Sequence, residues 1–213
     1  MIDTLPEEIK KANKKRFEQE MLKDQKVDPE QILGFLNWLD ETDFYEAPAS
    51  TNFHSNKKGG LCQHSLNVLD AGKKLNQDYK LGLPENDVIL ACLLHDLCKT
   101  NFYIEKEVWD KKHKDETNEW RKTKEWSVKD EFPVGHGEKS VFMALRHINL
   151  NDEIIAAIRW HMNGYDAGIH FNYPNGFPFR GAMEKYPLLK LLIISDQIAE
   201  MLEELEGKEV KNG

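Results

Sequence analysis

Val88-Ile-Leu-Ala-Cys-Leu-Leu-His95-Asp96-Leu-Cys-Lys99 is the stretch on which the fold turns: seven apolar residues run into a histidine, an aspartate and, three positions on, a lysine. Asp87 ahead of the run and the length from Pro84 to Lys99 favour a helix over a strand, with Pro84 tolerated near the first turn. A helix apolar on every side belongs in the middle of a domain. An ionised carboxylate and an imidazole at the end of such a helix are expensive to bury without compensation. A divalent metal would compensate both, because imidazole nitrogen and carboxylate oxygen are two of its commonest ligands. On this element alone, a His and an Asp that simply leave the helix end for solvent account for the pattern equally well. The choice rests on whether the chain supplies further ligands.

With 213 residues, 40% hydrophobic and 31% charged, the chain has the make-up of a soluble globular protein with one sizeable core. A formal charge of −8 gives no global basic face, which speaks against a duplex nucleic-acid binder but not against a small anionic substrate held in a local positive pocket. Three cysteines, Cys62, Cys92 and Cys98, form no CxxC pair, so neither a disulfide framework nor a thiolate knuckle is indicated, and a reducing, cytoplasmic setting fits. The first residues lack the charged start and apolar stretch of a signal peptide, and no apolar run reaches the roughly 18 residues of a membrane span.

Moving outward from the central helix, residues 6–24 read as a charge-rich exposed helix whose Lys10, Lys11, Lys14, Lys15 and Arg16 make a solvated face. Residues 1–27 are thus assigned as an N-terminal helical extension and 28–207 as one helical domain. Asp28 caps a second helix, with Pro29 in its first turn and a stripe of Ile32, Leu33, Phe35, Leu36 and Leu39. Residues 44–60 are irregular and end in Gly59-Gly60, which permit tight turning before a helix from Leu61 to Leu75 that carries His64. By itself His64 reads as an ordinary hydrogen-bonded core histidine rather than a ligand. Phe102–Trp109 and Glu119–Val128, aromatic and β-branched, read as a small β-hairpin inserted around residues 100–130, joined by a charged connection. Glycines on both sides of His136 let the backbone present it at the start of the helix Glu138–His147. Asn151 caps Asp152–His161. A loop spans 163–182, and the last helix, Pro187–Leu205, holds Asp196 within an apolar run, followed by a frayed tail. The fold class is therefore mainly α.

Taken together, His64, His95-Asp96, His136, His161 and Asp196 form an ordered set, five of them at an end of, or inside, an apolar helix. The order H…HD…H…H…D resembles the HD-domain metal-dependent phosphohydrolase superfamily, and in particular its two-metal members. Gly59-Gly60-Leu61 before His64, Leu94-His95-Asp96-Leu97-Cys98-Lys99, Gly135-His136-Gly137-Glu138-Lys139-Ser140 and Trp160-His161 strengthen the likeness, which covers about residues 50–200. The resemblance implies that His64, His95, Asp96 and Asp196 hold one metal and that His136 and His161 hold a second, with Asp96 bridging. Adjacent residues of a regular helix point about 100° apart, so His95 and Asp96 converge only at a helix end or kink. Lys99 lies four residues after His95 and three after Asp96, hence on their face. The resemblance places such a lysine near the substrate phosphate. Single-metal nucleotidases of this kind carry a glutamate where Lys99 stands, which shifts weight toward a phosphodiesterase-like site.

The resulting expectation is a hydrolase of phosphate esters acting on a nucleotide or related small phosphorylated substrate. It would use divalent ions (Mn, Fe, Ni, Co, Zn or Mg, the ligand set suiting several), with Asp96 and Lys99 catalytic. His54, Lys58 and Tyr165, on flanking loops, are candidates for substrate contact, with Arg159 and Arg180 as possible phosphate partners. Cys98, three residues after His95, keeps a zinc-site reading open. The alternatives are a 3′-5′ exoribonuclease-like HD nuclease, which the segment Gly-Gly-Leu…His-Ser-Leu resembles, and a non-catalytic metal-bound module that senses a nucleotide. His113, His147 and His170 are read as unconnected with metal. The oligomeric state has no signature in the sequence.

Overall fold

Helix α4 (Glu85–Leu94) occupies the centre of the computed structural model, which describes residues 2–23, 26–52, 55–166 and 177–212. Every side chain from Val88 to Leu94 is buried. Around α4 pack α1 (Glu7–Met21), α3 (Gly60–Asp78), α6 (His136–Leu145), α7 (Asp152–Trp160) and α9 (Pro187–Asn212). Each large apolar side chain removed from water in this way contributes about 1.5–3 kcal/mol. An all-round apolar helix therefore has nowhere better to go than between other helices.

The surrounding helices bury only one face each, as their patterning requires. The helix α2 (Pro29–Asp40) is capped by the Asp28 carboxylate, which accepts from Glu30 N at 2.9 Å, and it buries Ile32, Phe35, Leu36 and Leu39. Leu33, expected in the same stripe, is exposed, because it lies one helical step round from Ile32. Asn151 caps α7 through Ile154 N at 2.9 Å. Phe17 and Met21 carry α1 into the same apolar cluster. The basic face of α1 is less solvated than its composition suggests: Lys10 is buried and bonds Glu46 at 2.6 Å, and Lys14 pairs with Asp40 at 2.6 Å.

Strands β1 (Tyr103–Trp109) and β2 (Lys122–Val128) form the anticipated antiparallel hairpin, in register from Tyr103 opposite Val128 to Trp109 opposite Lys122. Their connection is not simply a charged loop but a short helix, α5 (Lys111–Thr117). Asp110 starts it by accepting from His113 N at 2.9 Å, and Asn118 ends it in a left-handed conformation. The long loop expected over 163–182 is likewise corrected at its far end, where α8 (Phe177–Lys185) forms with Pro178 in the first turn, the one place a helix tolerates proline. Helix α9 runs past the anticipated stop at Leu205 to Asn212, its Glu- and Lys-rich tail being composed mainly of good helix formers. Among the described residues, no helix is long and apolar enough to cross a membrane.

Candidate metal centre

The central helix does not continue through its histidine. His95 keeps helical angles, Asp96 moves to φ −107°, ψ 19°, and Leu97–Lys99 tighten into a 3-10 turn. This break is what lets two neighbouring residues face one point, as an unbroken helix would not. His64 comes from the second turn of α3, His136 opens α6, His161 closes α7 and Asp196 projects from α9. All six residues meet.

Asp96 sits between two pairs of imidazoles. Its Oδ1 lies 2.8 Å from His136 Nε2 and 3.7 Å from His161 Nε2. Its Oδ2 lies 3.4 Å from His95 Nε2, 3.7 Å from His64 Nε2 and 2.6 Å from the Lys99 ammonium. Asp196 Oδ1 completes the second group, 3.1 Å from His64 Nε2 and 3.7 Å from His95 Nε2. Three overlapping donor sets are thereby close enough to share a cation: His64–His95–Asp196, His95–Asp96–His161 and Asp96–Cys98–His136.

Whether these residues suit a metal can be judged from their ring protons. His95 Nδ1 donates to Cys92 O at 2.8 Å, and His161 Nδ1 donates to Ile158 O at 2.7 Å. Since a carbonyl can only accept, Nδ1 carries the proton and Nε2 of the neutral ring offers its lone pair. Both Nε2 atoms are buried and, among the described residues, have no hydrogen-bond partner. Leaving such an atom unsatisfied costs about 1–3 kcal/mol. Two orphaned imidazole lone pairs aimed at buried carboxylates fit divalent cations, and the mixed N/O donors suit several of them.

The charges are strongly interdependent. Burial alone would raise the Asp96 carboxyl, but the charge of Lys99 beside it and the bond from His136 hold it well below the carboxylate range. Burial opposes the charge on Lys99, which Asp96 more than restores. Burial would likewise lower His64, yet bonds to Asp196 and Glu203 raise it to about 10. Asp196 is held low, against burial, by its bond to His64. Glu200, one turn beyond Asp196, is pushed up to about 7 by burial and by the Asp196 charge.

Gly137 explains how α6 and α7 bring their histidines together. A Cβ there would lie 2.1 Å from Arg159 O, so only glycine lets the two helix ends approach closely enough for His136 and His161 to stand with ring centroids 5.5 Å apart. Arg159, a possible phosphate partner on sequence grounds, instead ties these ends by binding Glu138 and Asp166, each at 2.5 Å. Arg180 pairs with Glu184 on the surface. The Lys58 ammonium is engaged by Glu105 of the hairpin, and Tyr165 is 87% exposed on the turn after α7. His54 and His170 lie outside the described residues. His147 stacks on Trp38 with centroids 4.5 Å apart, and His113 belongs to α5, both away from the cluster. Cys98 rests against His136, its sulfur 3.2 Å from Nε2, while Cys62 and Cys92 pack in the core.

Sequence reasoning missed Glu200 and Glu203. Both stand at helical spacing after Asp196, four and seven residues on, which is the one signal that could have found them.

The HD domain family profile matches residues 61–201. A curated relative, the dihydroneopterin 2',3'-cyclic phosphate phosphodiesterase of Methanocaldococcus jannaschii, is 38% identical over 66 residues, which cover 29% of this chain and 26% of the relative. The chain therefore spans about a quarter of that protein's length. No solved structure is a significant match.

Proposed function

This chain belongs to the HD domain family, and on that premise we propose that it is a metal-dependent phosphohydrolase that cleaves a phosphodiester of a small, nucleotide-like molecule. HD domains bind divalent metals. The observation that carries the reading is the two-sided environment of Asp96, one oxygen facing His136 and His161, the other His64 and His95. A carboxylate so flanked would help to hold a cation on either side of it. His64, His95 and Asp196 would then complete one position, and His136 and His161 the other.

Bound divalent ions polarise phosphoryl oxygens and bring the pKa of water toward neutrality. The rest falls to the protein. Asp96 and Asp196 supply the negative charge that makes a pair of cations tolerable in a buried site. The carbonyls of Cys92 and Ile158 hold His95 and His161 in one tautomer, so that their lone pairs stay aimed at the cavity. Lys99, kept charged beside Asp96, offsets negative charge accumulating on phosphoryl oxygens as the bond to the leaving group breaks. The Asp96–Lys99 spacing of 2.6 Å puts that ammonium at the edge of the donor cluster.

A cyclic phosphodiester substrate is supported by the relative's activity on a 2',3'-cyclic phosphate. The net charge of −8 favours a small substrate over a long nucleic acid. Free, buried Cys62, Cys92 and Cys98 are consistent with work in the reducing cytoplasm. A panel of 2',3'-cyclic nucleotides, 3',5'-cyclic nucleotides, phosphomonoesters and labelled single-stranded RNA, run with Mn, Fe, Co, Ni, Zn and Mg in turn, tests the reading. Turnover of a cyclic diester that Asp96→Asn abolishes is the expected result. Cleavage confined to monoesters or to stepwise shortening of RNA would contradict it.

A further inference from the structure

Glu203 projects from α9 toward His64, and its side chain is only 6% exposed. It accepts three hydrogen bonds. His64 Nδ1 donates to Oε1 at 3.1 Å, Asn67 Nδ2 donates to the same oxygen at 2.7 Å, and Ser55 Oγ donates to Oε2 at 2.6 Å. With Asn67 and Ser55 already donating to it, this carboxylate faces His64 as an acceptor, and the contact keeps a proton on Nδ1. Nε2 is thereby turned toward Asp196 and Asp96.

The Ser55 end of this network has its own lock. Gly60 opens α3 where a Cβ would fall 2.0 Å from Ser55 O, a carbonyl that also accepts from Ala49 N at 3.0 Å. The Gly59-Gly60 pair, conspicuous in the sequence, thus lets the preceding loop fold back against the helix that bears His64. Both Ser55 and Glu203 lie outside residues 61–201, the span the family profile matches. The device belongs to this chain's flanks.

We propose that Glu203 is a positioning residue for the metal site: it holds the proton on His64 Nδ1, so that Nε2, which faces the donor cluster, is the nitrogen left to give its lone pair to a cation, and through Ser55 it ties the loop before α3 to that same histidine. The inference rests on the metal reading above. A carboxylate behind a metal-bound histidine sets the ring's orientation and basicity, and removing one costs about 10–100-fold in metal affinity.

The test is zinc binding by the full chain, read by competition with a chromophoric chelator, together with the slowly exchanging downfield imidazole N–H proton of His64 in NMR spectra of the zinc-loaded protein. Glu203→Ala is expected to lose the N–H signal and about 10–100-fold in affinity. Glu203→Gln, able to accept from Nδ1 without the charge, should keep the signal and fall between wild type and Ala. It also serves if the alanine variant fails to fold. Ser55→Ala and Asn67→Ala each cut one of the other two bonds to the same carboxylate, and should keep the N–H signal and lose less affinity than Glu203→Ala. Unchanged affinity in Glu203→Ala, or equal losses in Glu203→Ala and Ser55→Ala, would overturn the proposal. Because no turnover is read, a protein that hydrolyses nothing yet responds to Glu203 as described would refute the phosphodiesterase reading and leave this one standing.

Discussion

The helical body and the hairpin arm obey different rules. In the body, α4 is buried on all sides and ends in a cluster where His64, His95, Asp96 and His161 are almost wholly shielded from water. In the arm, from β1 through α5 to β2, no residue is buried. Its strands are laced by surface ion pairs, Lys122–Glu107 at 2.9 Å and Lys124–Glu105 at 2.7 Å, and moored to the body by Trp126 Nε1 donating to Asn56 O at 2.9 Å and by the Lys58–Glu105 pair. Burial makes the body's charges strong and mutually dependent. Solvent makes the arm's charges weak and replaceable. The candidate metal centre accordingly belongs to the body, and the arm is attached to it by few bonds.

Substitutions should separate the two regions by orders of magnitude. Asp96→Ala strips the carboxylate that faces both imidazole pairs and is expected to abolish both metal content and turnover, checked by elemental analysis and diester hydrolysis. Next in size, Lys99→Met should lower kcat by about 10²–10³ with metal content intact, since it removes charge stabilisation rather than a ligand. Leu93→Ala opens a cavity in the central helix and should cost about 2–5 kcal/mol in denaturant titrations. Trp126→Phe in the arm gives up one hydrogen bond at the mooring and should cost only about 0.5–1.5 kcal/mol. An arm substitution that rivalled Leu93→Ala would break the comparison.

The smallest effect is one of pH. Hydrogen bonds from Lys124 and Lys58 hold the Glu105 carboxyl down at about 2. A carboxyl depressed on folding stabilises the folded state in full above the ordinary carboxylate range. That contribution fades as pH falls from there toward 2. Thermal melts of wild type and Glu105→Gln should therefore differ slightly near neutrality and converge toward pH 2, and high salt should narrow the gap at neutral pH because exposed pairs are screened.

What the sequence disclosed follows the same division. Long apolar periodicities fixed the helices of the body, and histidines at their ends were legible because burial makes an unpaired imidazole conspicuous. The kink at Asp96 was demanded by two neighbouring candidate ligands. Glu203 was hidden because one more glutamate in Glu-Glu-Leu-Glu looks like surface charge, and only packing against α3 buries it. Helix α5 was hidden because Lys111–Thr117 has no apolar face to announce it, although Asp110 was available as its cap. Helix α8 was hidden by Pro178 and Gly181, which read as loop residues unless the proline happens to fall in a first turn.

The central claim is that one carboxylate, Asp96, joins two cation positions, and metal stoichiometry tests it most directly. Protein reconstituted with manganese or zinc and freed of excess metal should carry two equivalents, and the His136→Ala/His161→Ala double variant should carry one. A single equivalent in wild type, or a double variant that binds as much metal as wild type, would contradict the account.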